Sequence, residues 1–289
     1  MKKNKLMIFL FIMPAVLCLL LMFVYPVTRT VIMSFFRVES LTASTDTWSF
    51  YGLQNYVKIF NSTGFRQALV NMVRIWFAGG IITLSLSMLM AVVLTSGIRG
   101  AKFFKAAIYM PNIISAVALA TMWIQYVFHF DYGLLNEIVQ LFGGEKVKWL
   151  GSDLKFWAML GAFIFGSVGY YMLIYISGID GIPKELYEAA TLDGASKVDQ
   201  FTKITLPLSK PMVVYTMLTQ FAWPWSDVLL PKLLLKDRDM WTVAVGLFNL
   251  PETHFSRFAA GSVFIAIPIV ILYFCLVKNI VNGLTAGSV

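Results

Sequence analysis

Charge and cysteine are both scarce in this 289-residue chain, and their scarcity excludes several classes of protein. Charged residues make up 13% of the sequence and apolar residues 58%, whereas an average soluble domain carries roughly 25% charged residues. The two cysteines, Cys18 and Cys275, lie inside apolar runs, so we expect no disulfide framework. The two histidines, His129 and His254, fall near the ends of apolar runs and have no metal-ligand spacing around them. The composition therefore favours a membrane protein without a metal centre.

Nucleotide-binding and catalytic motifs are absent from the sequence as well. No glycine-rich phosphate-binding loop ending in Lys-Ser or Lys-Thr occurs, so we expect no cofactor in this chain and any ATP and Mg²⁺ on a separate subunit. Without a nucleophile elbow or paired carboxylates in the apolar runs, a membrane enzyme is not expected either. The net charge is +8, but the basic residues are scattered between apolar runs rather than clustered on one polar face. Anionic lipid and the positive-inside bias explain this excess better than nucleic-acid binding does.

Six apolar runs predict an all-α membrane protein with six transmembrane helices. A helix needs about 20 apolar residues to cross a hydrocarbon core of about 30 Å. The first run follows three lysines and closes with Tyr25 and Pro26; it is longer than the core of a signal peptide and has no small-residue cleavage site, so we interpret it as an uncleaved span. The predicted spans, in one transmembrane domain over 1–289, are at about 6–27, 70–94, 106–130, 156–177, 212–231 and 259–281.

Short basic segments predict the orientation of these spans. Three lysines precede the first span, and a short loop with Arg99, Lys102 and Lys105 follows the second. The totals of lysine and arginine on the two sides are nearly equal, but the first span and the short loops are where the positive-inside rule is most reliable. We therefore expect both termini in the cytoplasm. The same orientation places there residues 178–210, a polar island between the fourth and fifth spans, and places 37–67 outside.

The island has the start and stop signals of two short helices. Pro183 suits the first position of a helix, and Gly194 suits the left-handed residue that ends it. Ser196 and Asp199 have the spacing of a capping box at the start of a second helix, and we expect Pro207 and Pro211 to stop that helix and open the next span. The pattern predicts a helix–turn–helix lying roughly parallel to the membrane, with small residues that let another protein approach closely. An ordinary amphipathic loop is the alternative.

The island also resembles the coupling motif of binding-protein-dependent ABC import permeases, E-A-A-x3-G-x9-I-x-L-P. Every specified position is matched, by Glu188, Ala189, Ala190, Gly194, Ile204, Leu206 and Pro207. In that family the motif helix sits in a cleft of the ATPase subunit and turns closure of the ATPase dimer into movement of the transmembrane helices. The resemblance implies that Glu188 forms a salt bridge to the ATPase and that Gly194 makes the turn. It also implies two ATPase subunits, a second, paralogous permease subunit and an extracellular solute-binding protein, in the bacterial plasma membrane.

Further segments resemble the carbohydrate-import branch of these permeases, of the maltose, trehalose and glycerol-phosphate type. They are residues 99–104, 110–115, 131–136 and 182–187. The resemblance implies a subunit that forms half of the translocation pathway for a sugar or oligosaccharide. The N-terminal two-thirds is similar to the first permease of such pairs, whereas the fifth span and the tail are similar to the second, so the role within the pair stays open.

Two alternatives to a sugar permease stay open at this point. One is an ABC permease for a non-sugar solute. The other is an ion-coupled secondary transporter, which would want charged residues in mid-span and some internal symmetry. The charged residues that come nearest to meeting this requirement are Arg74 and Asp227.

Two helical faces beside the island are candidates for the sugar site. They carry Gln220, Trp223 and Asp227 at i, i+3 and i+7 of the fifth span, and Phe163, Ser167 and Tyr170 at i, i+4 and i+7 of the fourth. Aromatic rings can stack on the C–H faces of a sugar, and amide, hydroxyl and carboxylate groups can hydrogen-bond its rim. In the resembled family, substrate contacts come from these two spans. Alternatively, Trp223 anchors the chain at the membrane interface and Ser167 packs helices.

The predicted orientation can be tested by labelling single cysteines with a membrane-impermeant thiol reagent. In a chain whose own cysteines have been replaced, we expect Asp46→Cys to react in intact cells or spheroplasts and Lys102→Cys to react only after the membrane is opened. Labelling of Lys102→Cys but not of Asp46→Cys in intact cells would overturn the topology.

Overall fold

The computed structural model describes residues 5–38, 44–151, 153–250 and 254–286, and they are mostly helical. This agrees with the predicted all-α fold class. The chain divides into two compact units. One comprises Met1–Arg66 and Leu247–Pro268, and the other Gln67–Gly246 and Ile269–Val289.

The elements from the N-terminus to residue 127 begin with one long helix and a small hairpin. Helix α1 consists of Lys5–Leu19, a π-helical turn at Leu20–Val24, and Tyr25–Ser34. The next elements are the antiparallel strands β1 (Phe36–Arg37) and β2 (Ser49–Phe50), followed by helix α2 (Gln54–Phe60). They are followed by α3 (Thr63–Thr95, with a π-helical turn at Ile75–Gly80), α4 (Ala101–Ile113) and α5 (Ala116–Val127).

The remaining elements alternate long helices with short ones. They are α6 (Leu134–Leu141), α7 (Lys155–Asp180), α8 (Lys184–Leu192), α9 (197–208, with a π-helical turn at Phe201–Thr205), α10 (Lys210–Ser226), α11 (Leu229–Leu234), α12 (Val243–Phe248) and α13 (Phe255–Ala286).

Buried polar side chains tie the hairpin of the first unit to its helices. The Asn55 side-chain amide donates to the carbonyl oxygens of Ser34, at 3.0 Å, and Phe36, at 2.9 Å. The Val38 N–H donates to Ser256 Oγ at 2.8 Å. These bonds satisfy backbone groups where α1 ends and the hairpin begins.

Helix α7 is the most buried of the membrane-length helices in the second unit. Its C-terminal half packs on α3 through a cluster of buried side chains. The cluster contains Ala91 and Leu94 of α3 and Met172, Tyr175, Ile176 and Ile179 of α7. Ser87 Oγ donates to the Val168 carbonyl oxygen at 2.9 Å, so α3 also makes a polar contact with α7.

Among the described residues, four helices are long and apolar enough to cross a membrane. They are Met7–Ser34, Thr63–Thr95, Lys155–Asp180 and Phe255–Val277. Helices α4 and α5 would make a fifth span as a pair, but they are bent by 102° at the break between them. Helix α10 is 17 residues long and ends at Ser226, within the predicted fifth span. The protein is therefore helical with several membrane-length helices, and the count of six spans stays a prediction.

Substitutions at two glycines of α7 test whether α4 packs as closely against this helix as the structure shows. A Cβ at Gly169 would lie 2.6 Å from the Tyr109 Cα, and backbone cannot move aside as a side chain can. We expect Gly169→Ala to lower the free energy of unfolding by about 1–3 kcal/mol, the usual cost of overpacking, and so to lower the melting temperature. Gly161→Ala on the same helix has open space around the new Cβ, so it is the matched control. Equal melting temperatures of the two variants, measured by scanning fluorimetry, would contradict this packing.

Candidate functional site

Helix α8 ends in a glycine turn of defined geometry. Pro183 occupies the N-cap rather than the first helical position, and α8 begins one residue later than predicted, at Lys184. After Leu192 the chain turns through Gly194, at φ +78°. The Gly194 N–H donates to the Thr191 carbonyl oxygen at 3.1 Å, and the Ala195 N–H donates to that of Ala190 at 2.9 Å. This pair of bonds is a Schellman motif, which needs a left-handed residue at this position.

Helix α9 begins with the capping box that the sequence predicts. Ser196 Oγ accepts from the Asp199 N–H, and the Asp199 carboxylate accepts from the Ser196 N–H. A hydrogen bond from Lys203, followed by those from Ser196, lowers the pKa of Asp199 to about 2. The carboxylate that holds the cap is therefore ionised at physiological pH.

As the sequence predicts, two prolines separate α9 from α10, because α10 begins at Lys210 with Pro211 in its first turn and α9 ends at Leu208, one residue after Pro207. A π-helical turn at Phe201–Thr205 lies directly before the last helical segment, Leu206–Leu208, and resets the hydrogen-bonding register. Pro207 consequently sits in the first turn of the last helical segment, where a missing N–H costs no intrahelical bond.

Two side-chain hydrogen bonds hold α8 and α9 together. Tyr187 Oη lies 2.9 Å from Thr205 Oγ1. The Gln200 side-chain amide donates to Thr191 Oγ1 at 2.9 Å. With the glycine turn between them, these bonds make the two helices one braced pair.

The residues of the coupling motif face outward from this pair. No side chain of α8 is buried in the chain. Glu188, Ala189, Gly194, Leu206 and Pro207 are exposed, and Ala190 and Ile204 are half-buried. Beside them, Leu192 is 89% and Val198 71% exposed, so apolar surface is also left uncovered. Within the part of the chain that the structure describes, Glu188 makes no side-chain hydrogen bond or ion pair.

Five of the six predicted sugar-site residues line one cavity of about 170 Å³ in the second unit. These five are Phe163, Ser167, Tyr170, Trp223 and Asp227. A cavity of about 150 Å³ can hold a benzene ring, so this one has room for a single ring. The fourth and fifth predicted spans therefore meet around one space.

The sixth residue, Gln220, is fully buried and is not among the residues that line this cavity. Trp223 and Asp227 share the cavity, and the Asp227 N–H still donates to the Trp223 carbonyl oxygen at 3.0 Å as the last bond of α10. Asp227 is the C-cap residue of α10, and its Oδ1 accepts from the Leu229 N–H at 3.0 Å.

Aromatic rings and polar groups share the walls of the cavity. The rings of Tyr170 and Trp223 lie edge to face, with centroids 5.7 Å apart. Ser167 Oγ donates to the Phe163 carbonyl oxygen of its own helix. The walls thus combine ring surfaces with hydroxyl and carboxylate groups, which suits a ligand with apolar faces and a polar rim. No group of three or more metal-ligating side chains occurs in the described parts of the chain.

Sequence reasoning did not assign the third wall of the cavity, which comes from the break between α4 and α5. This wall consists of Pro111, Asn112, Ile114, Ala116 and Leu119. The sequence feature that could have indicated this wall is Pro111 followed by Asn112 inside an apolar run. Proline disfavours an unbroken helix, so a break in the third predicted span could have been expected.

Comparisons with known proteins agree on one kind of molecule. Residues 83–285 match the family model of the binding-protein-dependent transport system inner membrane component. The chain is 35% identical over 217 residues to the "Probable ABC transporter permease protein YurN" of Bacillus subtilis, covering 73% of this chain and 72% of that protein. It is 28% identical over 211 residues to the trehalose/maltose transport system permease protein MalF of Thermococcus litoralis, covering 73% and 70%.

A solved structure shows the same fold. A chain of the bacterial alginate ABC transporter, crystallised in complex with an alginate pentasaccharide-bound periplasmic protein, superposes with a TM-score of 0.79. The superposition covers 94% of this chain and 93% of that one, at 18% sequence identity.

Proposed function

Because this chain belongs to the family of binding-protein-dependent transport system inner membrane components, we propose that it is the permease subunit of an ABC importer for a sugar or oligosaccharide. Its relatives include a trehalose/maltose and an arabinooligosaccharide transport permease. The protein would form half of the translocation pathway, and the solute would reach it from an extracellular solute-binding protein. As a family member with several membrane-length helices, it is a multi-pass membrane protein.

The observation that carries the proposal for the sugar site is a cavity at a broken helix. In hydrocarbon, irregular backbone is tolerated only where it is buried in protein or lines a water-filled cavity. The break at 114–115 borders the space that Trp223 and Tyr170 also line. Discontinuous helices form the substrate sites of other transporters for the same reason. Stacking on the two rings and hydrogen bonds to Asp227 would then hold a sugar ring.

The proposal assigns the driving force to other chains. Two ATPase subunits would bind ATP and Mg²⁺, a second, paralogous permease would complete the pathway, and this chain would carry no cofactor. Both termini and the helix pair α8–α9 would lie in the cytoplasm. Glu188 supports this arrangement, because its carboxylate is exposed and makes no ion pair with the described residues. It is therefore free to pair with a cation of the ATPase.

Coupling is tested by Gly194→Val in the assembled transporter. A β-branched residue at φ +78° is strained, and its bulk would hinder the close approach of a partner. We expect substrate-stimulated ATP hydrolysis to fall several-fold while membrane insertion persists.

Gly143→Val is the matched control for this variant. Gly143 also has φ +78° and open space around a new Cβ, but it lies outside the island. Normal stimulation in the Gly194→Val assembly, or an equal loss in both variants, would contradict a coupling role.

The sugar site is tested by Trp223→Ala. Loss of the ring removes the stacking surface, and we expect uptake of the transported sugar to be abolished while assembly and basal ATP hydrolysis are unchanged. Trp157→Ala removes a similarly exposed ring of α7 that does not line the cavity, so its uptake should stay normal. Undiminished uptake by Trp223→Ala would rule out this residue as a sugar contact.

A further inference from the structure

A second polar cavity, of about 440 Å³, lies in the first unit, and three of its described lining residues are basic. Its charged walls are Arg37, at the end of β1, Lys58 of α2 and Arg257 of α13. The other lining residues are Val38, Tyr51, Asn55, His254 and Ser256. No described lining residue is acidic. The space is well within the size range of ligand pockets.

Of the three basic side chains, Lys58 contacts the Tyr51 hydroxyl of this cavity. Lys58 Nζ donates to Tyr51 Oη at 2.6 Å and lies 4.7 Å from the centroid of the Tyr51 ring. This hydrogen bond lowers the pKa of the Tyr51 hydroxyl, and the charges of Lys58, Arg37 and Arg257 lower it further. The Tyr51 hydroxyl, which Lys58 contacts directly, therefore lies where an anionic group would be stabilised.

The chain positions of these residues point to the membrane surface. Arg37 follows the end of α1 by three residues, and Arg257 lies in the first turn of α13. Both helices are long and apolar enough to span a bilayer. The segment 50–60, which contributes Tyr51 and Lys58, also exposes apolar side chains to its surroundings. They are Phe50 at 73%, Leu53 at 64%, Val57 at 48% and Phe60 at 52% exposed.

We propose that this cavity binds the phosphate headgroup of an anionic phospholipid. Lys58 and Arg257 would contact the phosphate, Arg37 would add charge, and the exposed apolar residues of 50–60 would lie along the acyl chains. A guanidinium matches the phosphate oxygens bidentately, and an ammonium adds a second charge-assisted hydrogen bond. The proposal is independent of the sugar site and of the coupling helices.

Native mass spectrometry of the full-length chain, with the subunits that co-purify with it, tests the proposal. The protein is exchanged into a neutral detergent and titrated with dioleoyl-phosphatidylglycerol or with dioleoyl-phosphatidylcholine. We expect one phosphatidylglycerol per chain to be retained in preference to phosphatidylcholine. Lys58→Gln combined with Arg257→Gln should weaken its retention by about tenfold or more, since each basic residue near the surface contributes to anionic-lipid binding.

Three comparisons make the outcome decisive. Lys58→Arg keeps the charge and should keep the lipid, which separates loss of charge from loss of fold. Arg99→Gln combined with Lys102→Gln removes two charges elsewhere and should also keep it. Inorganic phosphate alone, added at millimolar concentration, should neither displace the lipid nor raise the melting temperature.

Four results would overturn the proposal. The first is equal retention of phosphatidylglycerol by the parent chain and the Lys58→Gln, Arg257→Gln variant, and the second is an equal loss in the Arg99→Gln, Lys102→Gln control. The third is stabilisation by inorganic phosphate alone that depends on the cavity residues, which would show that the cavity binds a free anion rather than a lipid. The fourth is unchanged lipid retention with weakened association of the solute-binding protein, which would assign a protein carboxylate.

Discussion

Backbone hydrogen bonding in a bilayer is the constraint on which the second unit depends. Each unsatisfied backbone group costs several kcal/mol in hydrocarbon, so a helix cannot break there unless polar surroundings are provided. At the break between α4 and α5, the Ile114 N–H donates to the Pro111 carbonyl oxygen at 3.3 Å, and Ser115 Oγ accepts from the Ala118 N–H at 3.2 Å. The cavity bordered by this break provides room for water or a solute to satisfy other groups.

Glycines on α7 let the broken helix pair approach it closely. At Gly169 the backbone of α4 occupies the space that a Cβ would need. At Gly166 a Cβ would lie 3.1 Å from a Leu119 methyl carbon, and the Gly166 carbonyl oxygen accepts from the Asn112 side-chain amide at 3.3 Å. Small residues let helices make such contacts in lipid. Close packing on α7 and the break in its neighbour are therefore two parts of one arrangement.

The sequence predicted those features of the fold that depend only on residues close together in the chain. The capping box of Ser196 and Asp199 and the left-handed turn at Gly194 follow from short-range chemistry, and both are present. The π-helical turn at Phe201–Thr205 and the burial of Gln220 away from the cavity depend on tertiary packing, which the local sequence does not show. The wall at Pro111 and Asn112 was missed because helical periodicity cannot show a 102° bend.

Two of the helices that line the cavity, α7 and α10, also flank the braced pair. Ser167 lies about 13 residues before the end of α7, and Trp223 about 13 residues after the start of α10, roughly 20 Å along each helix. Short connections join α7 to α8 and α9 to α10, while hydrogen bonds hold α8 to α9. A force applied to the braced pair would therefore reach the α7 and α10 walls of the cavity through helices rather than through flexible loops. In this arrangement, a displacement of the exposed motif would change the shape of the cavity without any contact between the motif and the solute.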